Sequence, residues 1–257
     1  MRFARGARWV MPVLAMMTFL PSALAQTTLR LAAAADLEPV LPPLLKQFQA
    51  QTGIRVVGTY QASAMLTSQI ENGAPYDLFL AADMEFPARL VKAGLADEAA
   101  PVAYAKGTLV LWTRKDEHLR PPSLALLRNP ELKRLAMANP DRAPYGRAAL
   151  ATLKSLGLYD ALKTRIVQAE NIGQAAQFVE SGNAQAGLIA LTAARTPQLA
   201  AEGSYFVIPR GLYPPLEQGA VVMRASGHRA EAHRLLDYLL SAPVQAQMAA
   251  RGLSSVH

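Results

Sequence analysis

Eight short apolar runs, separated mostly by stretches of helical period, constrain this chain more than any other feature. They are TLRLAAA from Thr28, IRVVGTY from Ile54, DLFLAA from Asp77, TLVLW from Thr108, RLAMA from Arg134, AGLIAL from Ala186, YFVIP from Tyr205 and GAVVM from Gly219. Each has the length and apolar density of a half- or fully buried strand. Between them, Leu37, Val40, Leu41, Leu44, Leu45 and Phe48 share one helical face that stops near Gly53. Ser63 reads as the N-cap of a helix carrying Leu66 and Ile70 and closed by Gly73. Helices are also predicted over Tyr145–Leu156, Ile172–Glu180 and around Leu235, Leu236, Leu239 and Leu240. Strands alternating with helices predict an α/β fold with mostly parallel sheets.

In such sheets ligands bind beyond the carboxyl ends of the strands, where helices begin. Four segments have that construction: AAAADL, YQASAML, NPDRAPYGRAAL and QAENIGQAAQ. Each joins an apolar strand to a helix start through small or polar residues. Helix N-termini offer free N–H groups and the positive end of the dipole, so they hold anions without a cationic side chain. The alanines would let a ligand approach the backbone. Their plainer reading is tight packing of helix on sheet, and the pattern alone leaves both open.

The first 25 residues stand apart. Arg2, Arg5 and Arg8 precede an apolar run from Trp9 to Leu20, and Ala-Leu-Ala precedes Gln26. This is the layout of a cleavable secretory signal, its apolar run too short for a bilayer span. Its removal leaves 232 of 257 residues and lowers the formal charge from +7 to +4, with 23 basic residues against 19 acidic. That mild, scattered surplus gives no basic stripe for nucleic acid. The chain has no cysteine, which excludes disulfides, thiolate chemistry and a lipid-modified N-terminal cysteine. The expected product is a freely soluble, monomeric periplasmic protein.

Enzyme motifs are missing. No G-x-S-x-G elbow or H-E-x-x-H spacing occurs, and His118, His228, His233 and His257 are scattered. Asp77 and Asp83 read as cap and loop anchors rather than a catalytic pair.

The chain resembles the periplasmic molybdate-binding proteins of ABC importers. The matching pieces come in that family's order: LAAAADL, QTGIRVVGTYQASAMLTSQIENGAPYDLFLAAD, GTLVLW, NPDRAPYGRAALATLKSLGLYDAL, AENIGQAAQFVESGNAQAGLIAL and DYLLSAPVQAQMAARGL. The resemblance implies a two-lobed binding protein with two hinge crossovers. Lobe 1 would comprise 26–105 and 211–257, and lobe 2 would comprise 106–210, the chain crossing near residues 105 and 210. It implies capture of molybdate, and of tungstate with it, between the lobes for delivery to the membrane subunit of an ABC permease, with no cofactor. The oxyanion would be held by hydroxyls and backbone N–H groups at Ala35, Asp36, Ser63, Tyr145 and Ile172, with no side chain coordinating the metal directly.

Two positions depart from the family. Asp36 stands where many members have a hydroxyl or amide, and Ala190 where some have a donating tyrosine. A carboxylate about 4 Å from a dianion costs about 2 kcal/mol even in water. Three readings of Asp36 compete: a helix N-cap whose carboxylate turns away from the ligand, which is favoured; a protonated donor; or the mark of a different ligand. The last keeps open another oxyanion or ferric iron, with Tyr60, Tyr76, Tyr104 and Tyr145 as partners for a cation.

Overall fold

The computed structural model describes residues 27–256; the predicted signal segment lies outside them. The strands are β1 (Thr28–Ala34), β2 (Arg55–Gln61), β3 (Leu78–Leu80), β4 (Val102–Gly107), β5 (Leu109–Arg114), β6 (Leu135–Ala138), β7 (Ile166–Ala169), β8 (Ala186–Ala190), β9 (Gly203–Val207) and β10 (Leu216–Val222). The α-helices are α1 (Leu41–Thr52), α2 (Ser63–Glu71), α3 (Glu85–Lys92), α4 (Pro144–Ser155), α5 (Tyr159–Leu162), α6 (Ile172–Glu180), α7 (Leu191–Ala194), α8 (Pro197–Glu202), α9 (Arg229–Leu240) and α10 (Ala242–Ala250).

Two five-stranded sheets follow the same plan. The first runs β2-β1-β3-β10-β4 and the second β7-β6-β8-β5-β9. In each, three strands are parallel. A further pair extends each sheet through antiparallel pairings. The sheets are therefore mixed. Strands β4 and β5 lie in different sheets although only Thr108 separates them, and the chain returns between Val207 and Leu216. The Tyr213 hydroxyl accepts the Leu109 N–H at 3.2 Å, which ties the two passages together.

Leu41, Leu44, Leu45 and Phe48 bury one face of α1 against the first sheet, together with Leu235, Leu236 and Leu239 of α9. Leu66 of α2 and Leu90 of α3 cover the sheet's other face. Trp112 and Leu188 belong to the core of the second lobe. Gly53 ends α1 at φ 75°, a left-handed position that glycine occupies without steric cost.

The first helix begins later than its apolar period suggests. Ala35–Leu37 form a single 3-10 turn, and α1 starts only at Leu41. Pro42 and Pro43 explain this. They are tolerated in a first turn, where N–H groups have no helical partner, but not further inside a helix. Two strands carried no clear signal: β4, spelled VAYAKG, and β7, spelled IVQA. Both are sheet edges with half-exposed positions, so neither needs a dense apolar run.

Candidate functional site

All four strand-to-helix loops open at carboxyl ends of parallel strands. Ala34 pairs with Gln61 across β1 and β2, and Ala33 with Leu80 of β3. The 3-10 turn, the start of α2 and the Ala81–Ala82 loop therefore share one sheet edge. In the second lobe Ala138 pairs with Ala169, and the Asn139 N–H donates to the Ala169 carbonyl at 2.7 Å, which brings the starts of α4 and α6 together. The two edges meet. The Ala64 N–H of α2 donates to the Arg142 carbonyl before α4 at 3.2 Å. A Cβ placed on Gly173 of α6 would lie 3.8 Å from the Ala35 Cβ.

Between the lobes lies a cleft of about 560 Å³, walled in part by Ala35, Asp36, Ile172, Gly173 and Ala190. Ala190 contributes only a methyl group to this wall. Ser63 and Tyr145 stand outside this wall, each about 1% exposed. Tyr145 connects to the wall through Asp36: its hydroxyl donates to Asp36 Oδ2 at 3.2 Å. No hydrogen bond joins Ser63 to Asp36 or Tyr145 among the described residues. Instead Ser63 Oγ accepts the Ala82 N–H at 3.1 Å, which leaves its hydroxyl hydrogen free to donate.

Asp36 does not cap a helix. The N-cap of its 3-10 turn is Ala34, and no side chain closes that end. The favoured reading of the carboxylate is thereby overturned, because Pro42 and Pro43 delay the helix it would have capped. Asp36 is 2% exposed. Its Oδ2 accepts from Tyr145 and also from Gln218 Nε2 of β10 at 2.5 Å, while Oδ1 is buried without a partner. Burial raises its pKa from 3.8 to about 6 against the pull of Gln218, Tyr145 and its own backbone N–H. The Tyr145 hydroxyl is pushed well above its usual range by burial and by Asp36, so it remains a neutral donor.

Ser63 is not a cap either. Ala62 occupies that position and Ser63 is the first helical residue. Asn171 is a true cap, accepting the Gln174 N–H at 2.9 Å at the start of α6. The first-turn N–H groups of α2, α4 and α6 have no intrahelical acceptors, and Ser63, Tyr145 and Ile172 all sit in those turns. Asp77 accepts the Arg30 N–H and the Ser226 hydroxyl. Asp83 accepts the Phe86 N–H and pairs with Arg147 of α4. Both carboxylates anchor loops, as their sequence positions suggest.

Two residues of this network carried no motif. Gln218 is a lone amide in a strand, brought to Asp36 only because β10 returns between β3 and β4. Gly107 is the last residue of β4, and a Cβ there would collide with the Tyr145 hydroxyl and lie 3.2 Å from Gln218 Nε2.

Residues 29–254 match the family of bacterial extracellular solute-binding proteins. The chain belongs to that family. The molybdate-binding protein of Azotobacter vinelandii is 37% identical to it over 210 residues, 82% of this chain and 83% of that one. That of Rhodobacter capsulatus is 33% identical over 192 residues, 75% of this chain and 74% of that one. A solved structure, the periplasmic molybdate-binding protein of Azotobacter vinelandii, superposes with a TM-score of 0.84 and 33% identity. It covers 89% of this chain and 100% of its own. The two-lobed binding-protein fold is thus shared along nearly the whole described chain. The solute-binding protein is a receptor, not an enzyme.

Proposed function

We propose that this periplasmic protein captures molybdate, and tungstate with it, in the interlobe cleft and delivers it to the membrane subunit of an ABC permease. The observation that carries this reading is the meeting of three helix first turns, those of α2, α4 and α6, at the edges where the lobes face each other, with the Ser63 hydroxyl hydrogen unspent. Such a set binds an anion through backbone N–H groups and helix dipoles. Arg147 is engaged by Asp83 and Glu85 and supplies no free charge to the ligand. The likeness to molybdate-binding relatives supplies the identity of the anion. Ala35, Asp36, Ser63, Tyr145 and Ile172 are the proposed contacts, through backbone N–H groups and the Ser63 hydroxyl, and no side chain coordinates the metal.

Calorimetric titration of the ligand-stripped protein with molybdate, tungstate and sulfate tests this. Submicromolar binding of the first two without sulfate binding is expected, since cavity size separates dianions that offer similar acceptors. Binding of none of the three sinks the reading. Ser63→Ala removes one hydrogen bond to a charge, worth about 1.5–3 kcal/mol, and is expected to weaken molybdate binding at least about tenfold. Unchanged affinity would remove Ser63 from the site.

The alternative reading, another oxyanion or ferric iron, is not favoured. Iron would want several carboxylates or histidines around Asp36. Among the described residues no group of three His, Cys, Asp or Glu is placed to hold a metal ion.

A further inference from the structure

The two oxygens of Asp36 have unequal surroundings. Oδ2 is held by the Tyr145 hydroxyl and the Gln218 amide, while Oδ1 is buried and bare. Asp36 nevertheless forms part of the cleft wall. A proton arriving at this carboxyl belongs on Oδ1, because protonating Oδ2 would leave two donors competing for a poorer acceptor. Gln218 Oε1 is bare as well, but that amide turns its Nε2 to Asp36, so no acceptor is set against an Oδ1–H group among the described residues; the acceptor inferred for it is the anion that enters the cleft bordered by Asp36. The network also spends the Tyr145 hydrogen on Asp36, so that hydroxyl does not donate to a ligand.

The surroundings favour the neutral acid. Tyr104 of β4 and Tyr145 of α4 face Asp36 and are themselves kept neutral by burial. From β10 comes the uncharged Gln218. On β2, Tyr60 is pushed up to about 12 by burial and by Glu38. The turns of α6 and α7 that pack against Ala35–Leu37 carry no ionisable side chain. Asp83 adds further negative charge near Tyr104, and its cation Arg147 is already paired. No free cation compensates Asp36 among the described residues, and an incoming dianion adds repulsion that only a proton relieves.

We propose, on the oxyanion reading above, that Asp36 takes one proton from solvent when the anion binds and donates Oδ1–H to it, Tyr145 and Gln218 holding the carbonyl oxygen. Capture is then proton-coupled. The new bond is O–H on Asp36, its proton comes from water or buffer, and nothing is oxidised or reduced. Gln218 is a positioning residue that fixes which oxygen carries the proton.

The test is calorimetry of molybdate and tungstate binding between pH 6 and 8.5, repeated in buffers of different ionisation heat to count protons. The wild-type protein is expected to take up about one proton per anion at pH 7.5, its affinity falling about tenfold per pH unit above neutrality. Asp36→Asn is expected to bind with no proton uptake and a flat pH profile. Gln218→Met removes a donor to the carboxylate, and is expected to move the start of the decline to higher pH. A merely structural role would leave that point in place. Difference infrared spectra of the wild-type protein check the same step without a variant, through a protonated-carboxyl C=O band that appears on binding. Anion binding without proton uptake, or with equal uptake in Asp36→Asn, overturns the proposal and leaves the oxyanion reading standing. Binding of neither anion at any pH overturns both.

Discussion

Asp36 costs the ligand-free protein stability at neutral pH, and the sign follows from its environment. Its pKa rises from 3.8 to about 6 on folding. The folded chain therefore holds this proton more tightly than the unfolded chain. The associated stability is fully present below pH 3.8 and is lost as pH rises through about 6. A rise of that size corresponds to about 3 kcal/mol, since each tenfold gain in proton affinity is about 1.4 kcal/mol. Asp36→Asn keeps the shape and removes the charge. It is expected to raise the melting temperature of the ligand-free protein at pH 7.5 and to lose most of that advantage near pH 4. Equal changes in melting temperature at both pH values would show that the carboxyl is not strained by burial. The sequence marks Asp36 as odd but misplaces its role, because a turn delayed by Pro42 and Pro43 looks like a capped helix. Gln218 is illegible for another reason. It lies 182 residues from Asp36 along the chain, and only the return of β10 joins them.

At the scale of elements, the site depends on how closely helices approach strand ends. Gly146 shows this for α4. A Cβ on it would meet the Ala138 carbonyl oxygen at 2.5 Å and that of Asn139 at 2.6 Å. Both are backbone atoms of β6 and its loop, so the helix must move instead. Gly146→Ala is expected to displace the first turn of α4, weaken molybdate binding at least about tenfold and lower the melting temperature, because overpacking costs about 1–3 kcal/mol. Gly211→Ala is the control, since a Cβ there meets nothing within 4 Å. Equal behaviour of the two variants in titration and melting would dismiss the close approach as a cause. The small residues of these loops thus have a packing reason, the plainer of the two alternatives left open by the sequence. Most elements were legible, because a buried strand needs a dense apolar run and an amphipathic helix needs a stripe. The late helix α10, APVQAQMAA, was not legible, since its alanines and glutamines form no apolar stripe. The edge strands β4 and β7 were hidden by their half-exposed positions.

The whole molecule is two sheets of one plan, and what joins them decides how a ligand is kept. Arg147 of α4 in the second lobe pairs with Asp83 beyond β3 in the first, reaches Glu85 at 3.4 Å and lies 5.3 Å above the Phe86 ring. These contacts exist only while the lobes are together. The passages at Thr108 and between Val207 and Leu216 are where hinge motion would be absorbed. Burial raises the Asp83 pKa, while the Phe86 N–H and Arg147 hold it down. Arg147 is 37% exposed in its side chain, so the pair is worth at most about 1 kcal/mol. On a latch role, Arg147→Gln is therefore expected to speed molybdate release by up to about fivefold and to leave the association rate unchanged, since a pair made on closure acts only on escape. Stopped-flow measurement of both rates decides between latch and steering. A slower association with unchanged release would mean that Arg147 draws the anion in rather than holding the lobes shut. Salt gives a second check at the same scale. At 1 M ionic strength the screening length is about 3 Å, and the wild-type release rate should approach that of the variant.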